Sequence, residues 1–219
     1  MIPEHYSRDI AQRCLSLIRH VLPTIQQGLP DDGKYGGPLD TTFLLAMATP
    51  MVVIPIERLH TPAEYPTQVG DDRALDPDLT DEVSSVFGTD RKFCDTPFGA
   101  VGGWSYVPAH LPVFNLANGC PDDLLNALGT EDAAQRAQNT PTGVILRVLR
   151  NALAHGGVAY LDENGMNTDR QVGMFAFIAV EKDNRRRVVG LNVLRVSQSD
   201  FCSFLTAWTD WLTQSSSSG

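Results

Sequence analysis

The sequence predicts a mainly helical α+β fold: a helical bundle, then a small late antiparallel sheet (a β-hairpin or three strands), then a C-terminal helix. Three observations carry this prediction. Apolar residues recur at three- and four-residue steps through the first 60 residues, the period of a helix with one buried face. After residue 157 the period shortens toward two, in runs bounded by Gly, Asp and Asn. The helical period returns from Asp200 to Leu212.

The first helix is expected from Glu4 to Leu22, with Ile10, Cys14, Leu17, Ile18 and Val21 on one stripe and Pro23 as its stop. A Gly-, Pro- and Asp-rich loop follows, from Gly28 to Pro38. Asp40 suits the N-cap of a very apolar second helix, bent or interrupted near Pro50 and Pro55. Residues 61–120 lack periodicity apart from a short helix around Asp81–Val86, and Gly99–Trp104 is dense in glycine. They fit an irregular insertion or covering loop within a single domain spanning 1–214, with 215–219 as a disordered tail or cloning remnant. Another short helix covers Pro121 to Leu128, with Asp122 and Asp123 in its favourable first turn.

The next helix has marked ends. Thr140 suits its N-cap and Pro141 its first turn, and Gly156-Gly157 supplies a left-handed stop. Strands follow at 157–161, 174–181 and 187–196, the last two joined by a hairpin at Lys182–Arg185. Imperfect alternation in the last strand predicts one wet and one packed face. Asp200 suits the N-cap of the closing helix, whose Trp208 and Trp211 fit core or dimer contacts.

Composition narrows the function. Apolar content of 42% and charged content of 20% suit a globular chain with a full core. Cys14, Cys94, Cys120 and Cys202 are scattered, which suits a reducing compartment and argues against a disulfide framework or a zinc site. His5, His20, His60 and His110 show no ligand spacing, so neither metal nor cofactor is expected. No basic leader precedes an apolar stretch, and the uncharged run from Thr41 to Ile56 contains two prolines, so no membrane partner is expected. The net charge of −9 is uneven: residues 1–130 hold 8 Lys/Arg against 17 Asp/Glu, whereas residues 131–219 hold 9 of each. That is not the footprint of a tight, sequence-blind nucleic-acid binder. It leaves room for a transient RNA encounter, or for a basic partner docked on the acidic half.

The chemistry-bearing segment is Arg150-Asn151-Ala152-Leu153-Ala154-His155, just before the glycine stop. A guanidinium holds a phosphate at two points, an amide donates without adding charge, and an imidazole exchanges protons near neutrality. RNA strand cleavage needs all three: a base for the 2′-hydroxyl, charge stabilisation at phosphorus and an acid for the leaving 5′-oxygen. Arg147, one turn back, extends the positive surface. Asn151 and His155 are helical neighbours, but Arg150 and His155 lie roughly 140° apart around the axis. Each residue also has a structural alternative: His155 as a C-terminal helix cap, Arg150 in an ion pair, Asn151 as a structural hydrogen-bonder and Arg147 as a solvated residue. Arg185-Arg186-Arg187 fits a solvated turn or an RNA guide.

At R-N-A-L-A-H-G the chain resembles the HEPN superfamily, whose signature is R-x(4–6)-H at the end of a long helix, often with a polar residue after the Arg. The strands and last helix are similar to bacterial HEPN subfamilies encoded on plasmids and in defence or toxin–antitoxin loci, a cytoplasmic setting. The likeness spans about residues 1–60 and 120–212. It implies a homodimer in which two motif helices line one composite cleft, with metal-independent endoribonuclease activity by Arg150 and His155, assisted by Asn151. Such a dimer removes the 140° difficulty, because the His of one chain works beside the Arg of the other. An antitoxin or other regulator is an expected partner. Other members of the superfamily are inactive or only bind nucleotides.

Overall fold

The computed structural model describes residues 5–28, 39–60, 72–88, 90–183 and 185–214. Among them lie seven α-helices and one four-stranded antiparallel sheet, a mainly helical α+β fold as expected. Almost all of the 28–38 loop and the 215–219 tail lie outside the described residues.

Helices α1 (Tyr6–Gln26) and α2 (Leu39–Leu59) pack along each other. Helix α1 buries Ala11, Cys14, Leu15, Ile18 and Leu22 and runs past Pro23 rather than stopping there. Neither Pro50 nor Pro55 interrupts α2, which buries eight residues along one face from Thr41 to Leu59. A proline removes one N–H donor, and burial of a whole face outweighs that loss. Pro55 leaves the carbonyl four residues back, that of Met51, without its helical donor, and the Trp208 indole N–H supplies one at 2.8 Å. Asp40 lies inside the first turn, not at the N-cap. By length and composition α2 could also cross a membrane. In this fold it packs against α1, α6 and the C-terminal helix.

Of the stretch read from the sequence as an insertion or covering loop, residues 61–71 lie outside the described residues, and the described remainder contributes to the core. It holds α3 (Pro77–Gly88), the buried rings of Phe93, Phe98 and Trp104, and strand β1 (Ser105–His110). Proline 108 and a bulge between Val107 and His110 hide β1 from an alternation test; at the bulge Ala109 adopts φ 49°. Helices α4 (Asp122–Leu128), α5 (Glu131–Asn139) and α6 (Thr142–His155) follow. Helix α5 was not foreseen; the Thr130 hydroxyl caps it by accepting from Ala133 N–H at 3.2 Å. Thr140 closes α5 rather than opening α6, donating its hydroxyl to the Arg136 carbonyl at 2.6 Å, and Pro141 takes the N-cap of α6.

Strands β2 (Val158–Leu161), β3 (Met174–Lys182) and β4 (Val188–Ser197) complete the sheet in the order β1-β4-β3-β2. Both faces are packed, contrary to the expected wet face. Phe175, Phe177, Leu194 and Val196 meet the helical core, and Ala176, Leu191 and Val193 meet Leu124, Leu125 and Leu128 of α4. Helix α7 (Gln198–Gln214) begins two residues before Asp200, capped by the Ser197 hydroxyl. Asp200 instead accepts from Gly103 N–H at 3.0 Å and ties the glycine-rich loop to α7. Trp208 and Trp211 are core residues.

The sheet leaves part of one strand open beside the end of α6. Strand β2 pairs only with Met174–Phe177, so among the described residues Ala179–Lys182 of β3 have a strand partner on one side, β4, and an open edge on the other.

Candidate active site

Helix α6 buries Ile145, Leu146, Leu149, Ala152 and Leu153 against the core and turns Arg147, Asn151 and His155 outward at four-residue steps. Its end is built by two glycines with different jobs. Gly156 takes the left-handed conformation, φ 71°, that stops the helix. Gly157 passes so close to β3 that a Cβ there would lie 2.2 Å from the Ile178 carbonyl oxygen. The Ile178 N–H donates to the Gly157 carbonyl at 2.7 Å, which fixes the end of α6 against the start of the open edge.

Two adjoining pockets straddle that edge. The larger, about 570 Å³, is lined by Asn151, His155 and Lys182 at its polar end and by side chains of β3, β4 and the segment after β1 elsewhere. The smaller, about 250 Å³, takes Arg147, Asn151, Glu181, Lys182 and Asn192. Asn151 and Lys182 belong to both. Three of the four predicted residues, Arg147, Asn151 and His155, therefore lie on one continuous surface.

Arg150 is turned toward α2. Its guanidinium pairs with Glu57 and also donates to Asn151 Oδ1 at 2.6 Å. Burial pulls its pKa below the ordinary arginine value. Arg150 thus reaches the site through Asn151 and lines neither of these two pockets, in keeping with its roughly 140° separation from His155 around the helix. His155 is exposed and, among the described residues, makes no side-chain hydrogen bond or ion pair. Burial first, and the Arg147 charge second, hold the pKa of His60 below the ordinary imidazole value. His60 stacks on Phe87 with ring centroids 3.9 Å apart.

Sequence reasoning gave no role to Lys182, Glu57 or Asn192. Lys182 was readable only as a hairpin residue, because the open edge depends on where β2 stops. Asn192 is buried, accepts from Tyr106 O–H at 3.0 Å and from Ala109 N–H at 3.1 Å, and donates to Glu181. It thereby joins the bulge of β1 to the floor of the smaller pocket. Of the arginine run, Arg187 is tied to Asp183 at 2.7 Å, while Arg185 and Arg186 are exposed.

No curated protein and no solved structure matches this chain. A family model does: the one described as HEPN pEK499 p136 matches residues 1–218, including the 61–120 stretch for which the motif alone offered no counterpart. With the R-x4-H segment closing α6, and with the match running over nearly the whole sequence, the chain belongs to the HEPN pEK499 p136 family.

Proposed function

We propose that this protein is a metal-independent endoribonuclease of the HEPN type, acting as a cytoplasmic homodimer in a bacterial, plasmid-borne toxin or defence locus. The observation that carries the reading is the surface shared by Arg147, Asn151, His155 and Lys182 at the open edge of β3. In this reading His155 takes the proton of the ribose 2′-hydroxyl. The 2′-oxygen attacks the adjacent phosphorus, and the bond to the 5′-oxygen breaks as that oxygen gains a proton. The products carry 2′,3′-cyclic phosphate and 5′-hydroxyl ends. Arg147 and Asn151 hold the phosphate, and Arg150, displaced from the His155 of its own chain, serves a composite cleft formed with a second chain. An antitoxin or other regulator restrains the activity.

A second reading rests on the Glu57–Arg150 ion pair. If that pair is purely structural, the chain is an inactive HEPN-like module for nucleotide or RNA binding or for dimerisation. Incubating RNA with purified protein in EDTA, beside His155→Ala and Arg150→Ala, separates the two. Cleavage by the wild type alone, leaving cyclic-phosphate ends, supports the nuclease. A folded dimer that leaves RNA whole supports the module. Equal cleavage by all three proteins means contamination, and it removes the support for a role of the motif.

A further inference from the structure

The larger pocket has a composition that phosphate chemistry alone does not require. Beyond its polar end it is apolar, walled by Val113, Phe114 and Leu116 on one side and by Val180 and Leu191 on the other. Val113 and Val180 are each 49% exposed, so two branched apolar side chains face water beside Lys182. Phe114 and Leu116 back onto the core of the sheet, and Phe114 is braced by the edge of His110, centroids 6.0 Å apart. Phe114 and Leu116 therefore form a fixed wall.

The open edge adds hydrogen-bonding groups. Ile178 directs its N–H and C=O toward Gly157. Strand alternation turns those of Val180 the same way, where among the described residues no strand pairs with them. The register then shifts between Glu181 and Lys182. The extra residue of that shift, Val189, belongs to β4, and Asp183 N–H turns back to the Arg187 carbonyl, so β3 keeps its alternation and the edge offers two N–H/C=O pairs, at Val180 and Lys182, the first set between apolar walls.

We infer that this groove receives one unstacked base of a ribonucleotide strand, its polar edge read by the backbone of Val180 and its phosphate lying toward Arg147, Asn151 and Lys182. The inference deepens the endoribonuclease reading and rests on it. The volume suits a small-molecule site, about 300–1,000 Å³, and an apolar pocket with a few placed polar groups is the usual form of one. Charge favours an anionic occupant: Arg147 and Lys182 line the paired pockets, while the one carboxylate there, Glu181, is held by Asn192. Two free backbone pairs make a short edge for strand addition by a peptide, which draws on several successive pairs, and only the pair at Val180 lies between the apolar walls, where it matches the edge of one base. A base paired and stacked in a duplex cannot enter, so the substrate is unpaired RNA.

Binding is measured with a short fluorescent all-2′-O-methyl RNA, which lacks the attacking hydroxyl, as a single strand and as a duplex. Wild type is expected to bind the single strand about tenfold or more tighter than the duplex. Val180→Asp and Val113→Asp each weaken single-strand binding about tenfold, while circular dichroism stays native and KM for cleavable RNA rises more than kcat falls. Two exposed positions on different segments guard against a local folding defect. Duplex bound as tightly as single strand, or single-strand binding unchanged in both variants, overturns the groove. So does loss of the dimer in both variants by light scattering, which assigns the face to a second copy. Capture of a glutamate-rich peptide in place of the single strand overturns it in favour of an acidic protein partner. The two readings fail separately. Groove binding without cleavage of natural RNA rejects the nuclease alone, and cleavage with unaltered KM in both variants rejects the groove alone.

Discussion

Removing the Trp208 indole N–H tests whether α2 keeps its prolines by borrowing a donor from α7. Trp208 is fully buried, and its N–H meets the Met51 carbonyl, the acceptor that Pro55 leaves unserved. Trp208→Phe keeps an aromatic ring but orphans a buried carbonyl, a cost of about 1–3 kcal/mol, with roughly 1–2 kcal/mol more for the smaller ring. Pro55→Ala restores an N–H four residues after Met51. In that background the carbonyl has a helical donor, and Trp208→Phe loses only the ring contribution. The double-mutant cycle should therefore show about 1–2 kcal/mol of coupling, read from guanidinium unfolding of the four proteins with unchanged m-values. For a chain of this size that is a difference of about 2–8 °C in Tm. Additivity within about 0.5 kcal/mol refutes the borrowed donor.

Three further outcomes follow from the same structure. Gly156→Ala places a Cβ in open space at φ 71°, costing about 1–2 kcal/mol, whereas Gly157→Ala drives one into the Ile178 carbonyl and costs about 3 kcal/mol or more; equal shifts in thermal unfolding reject the close approach. Burial alone would raise the pKa of Asp72, but hydrogen bonds from Arg58 and Ser7 outweigh it and hold it below the ordinary range. Its stabilising effect is thus present above about pH 4 and lost as pH falls through the folded pKa, so Asp72→Asn lowers stability at pH 7 and flattens that acid limb. The folded pKa of His60 is also depressed. Below about pH 6.5 the unfolded chain takes up a proton that the folded chain refuses, and stability falls with pH. Arg147→Gln should raise the His60 value in an NMR titration, and an unmoved value would place the Arg147 charge elsewhere.

What the sequence made legible was local. The glycine stop of α6 and the three strands after it each follow from periodicity or from one residue's conformational freedom, whereas the predicted stripe of α1 is buried only at Cys14 and Ile18: Leu17 is exposed, and Ala11, Leu15 and Leu22 are buried in its place. The 140° separation of Arg150 and His155 followed from helix geometry, and the turn of Arg150 toward Glu57 agrees with it. Missed features depended on partners distant in sequence. Strand β1 carries a proline and a bulge and is a strand only because β4 lies beside it. Pro50 and Pro55 read as breaks because the burial that sustains α2 comes from helices elsewhere in the chain. Thr140 fits a cap on either side, and its hydroxyl went to the Arg136 carbonyl rather than to α6. Lys182 joined the site through the length of β2, which no local pattern near Lys182 encodes.

The separation of 157 residues from Met51 to Trp208 also sets a schedule. A ribosome adds about 5–20 residues per second, so the most apolar helix of the chain waits on the order of ten to thirty seconds for the side chain that completes it. Strand β1 likewise waits for β4, and the edge beside His155 waits for β3. Until α7 is made, the apolar face of α2 that Trp208 covers stays open, and the hazard the chain carries through its synthesis is aggregation rather than unfolding.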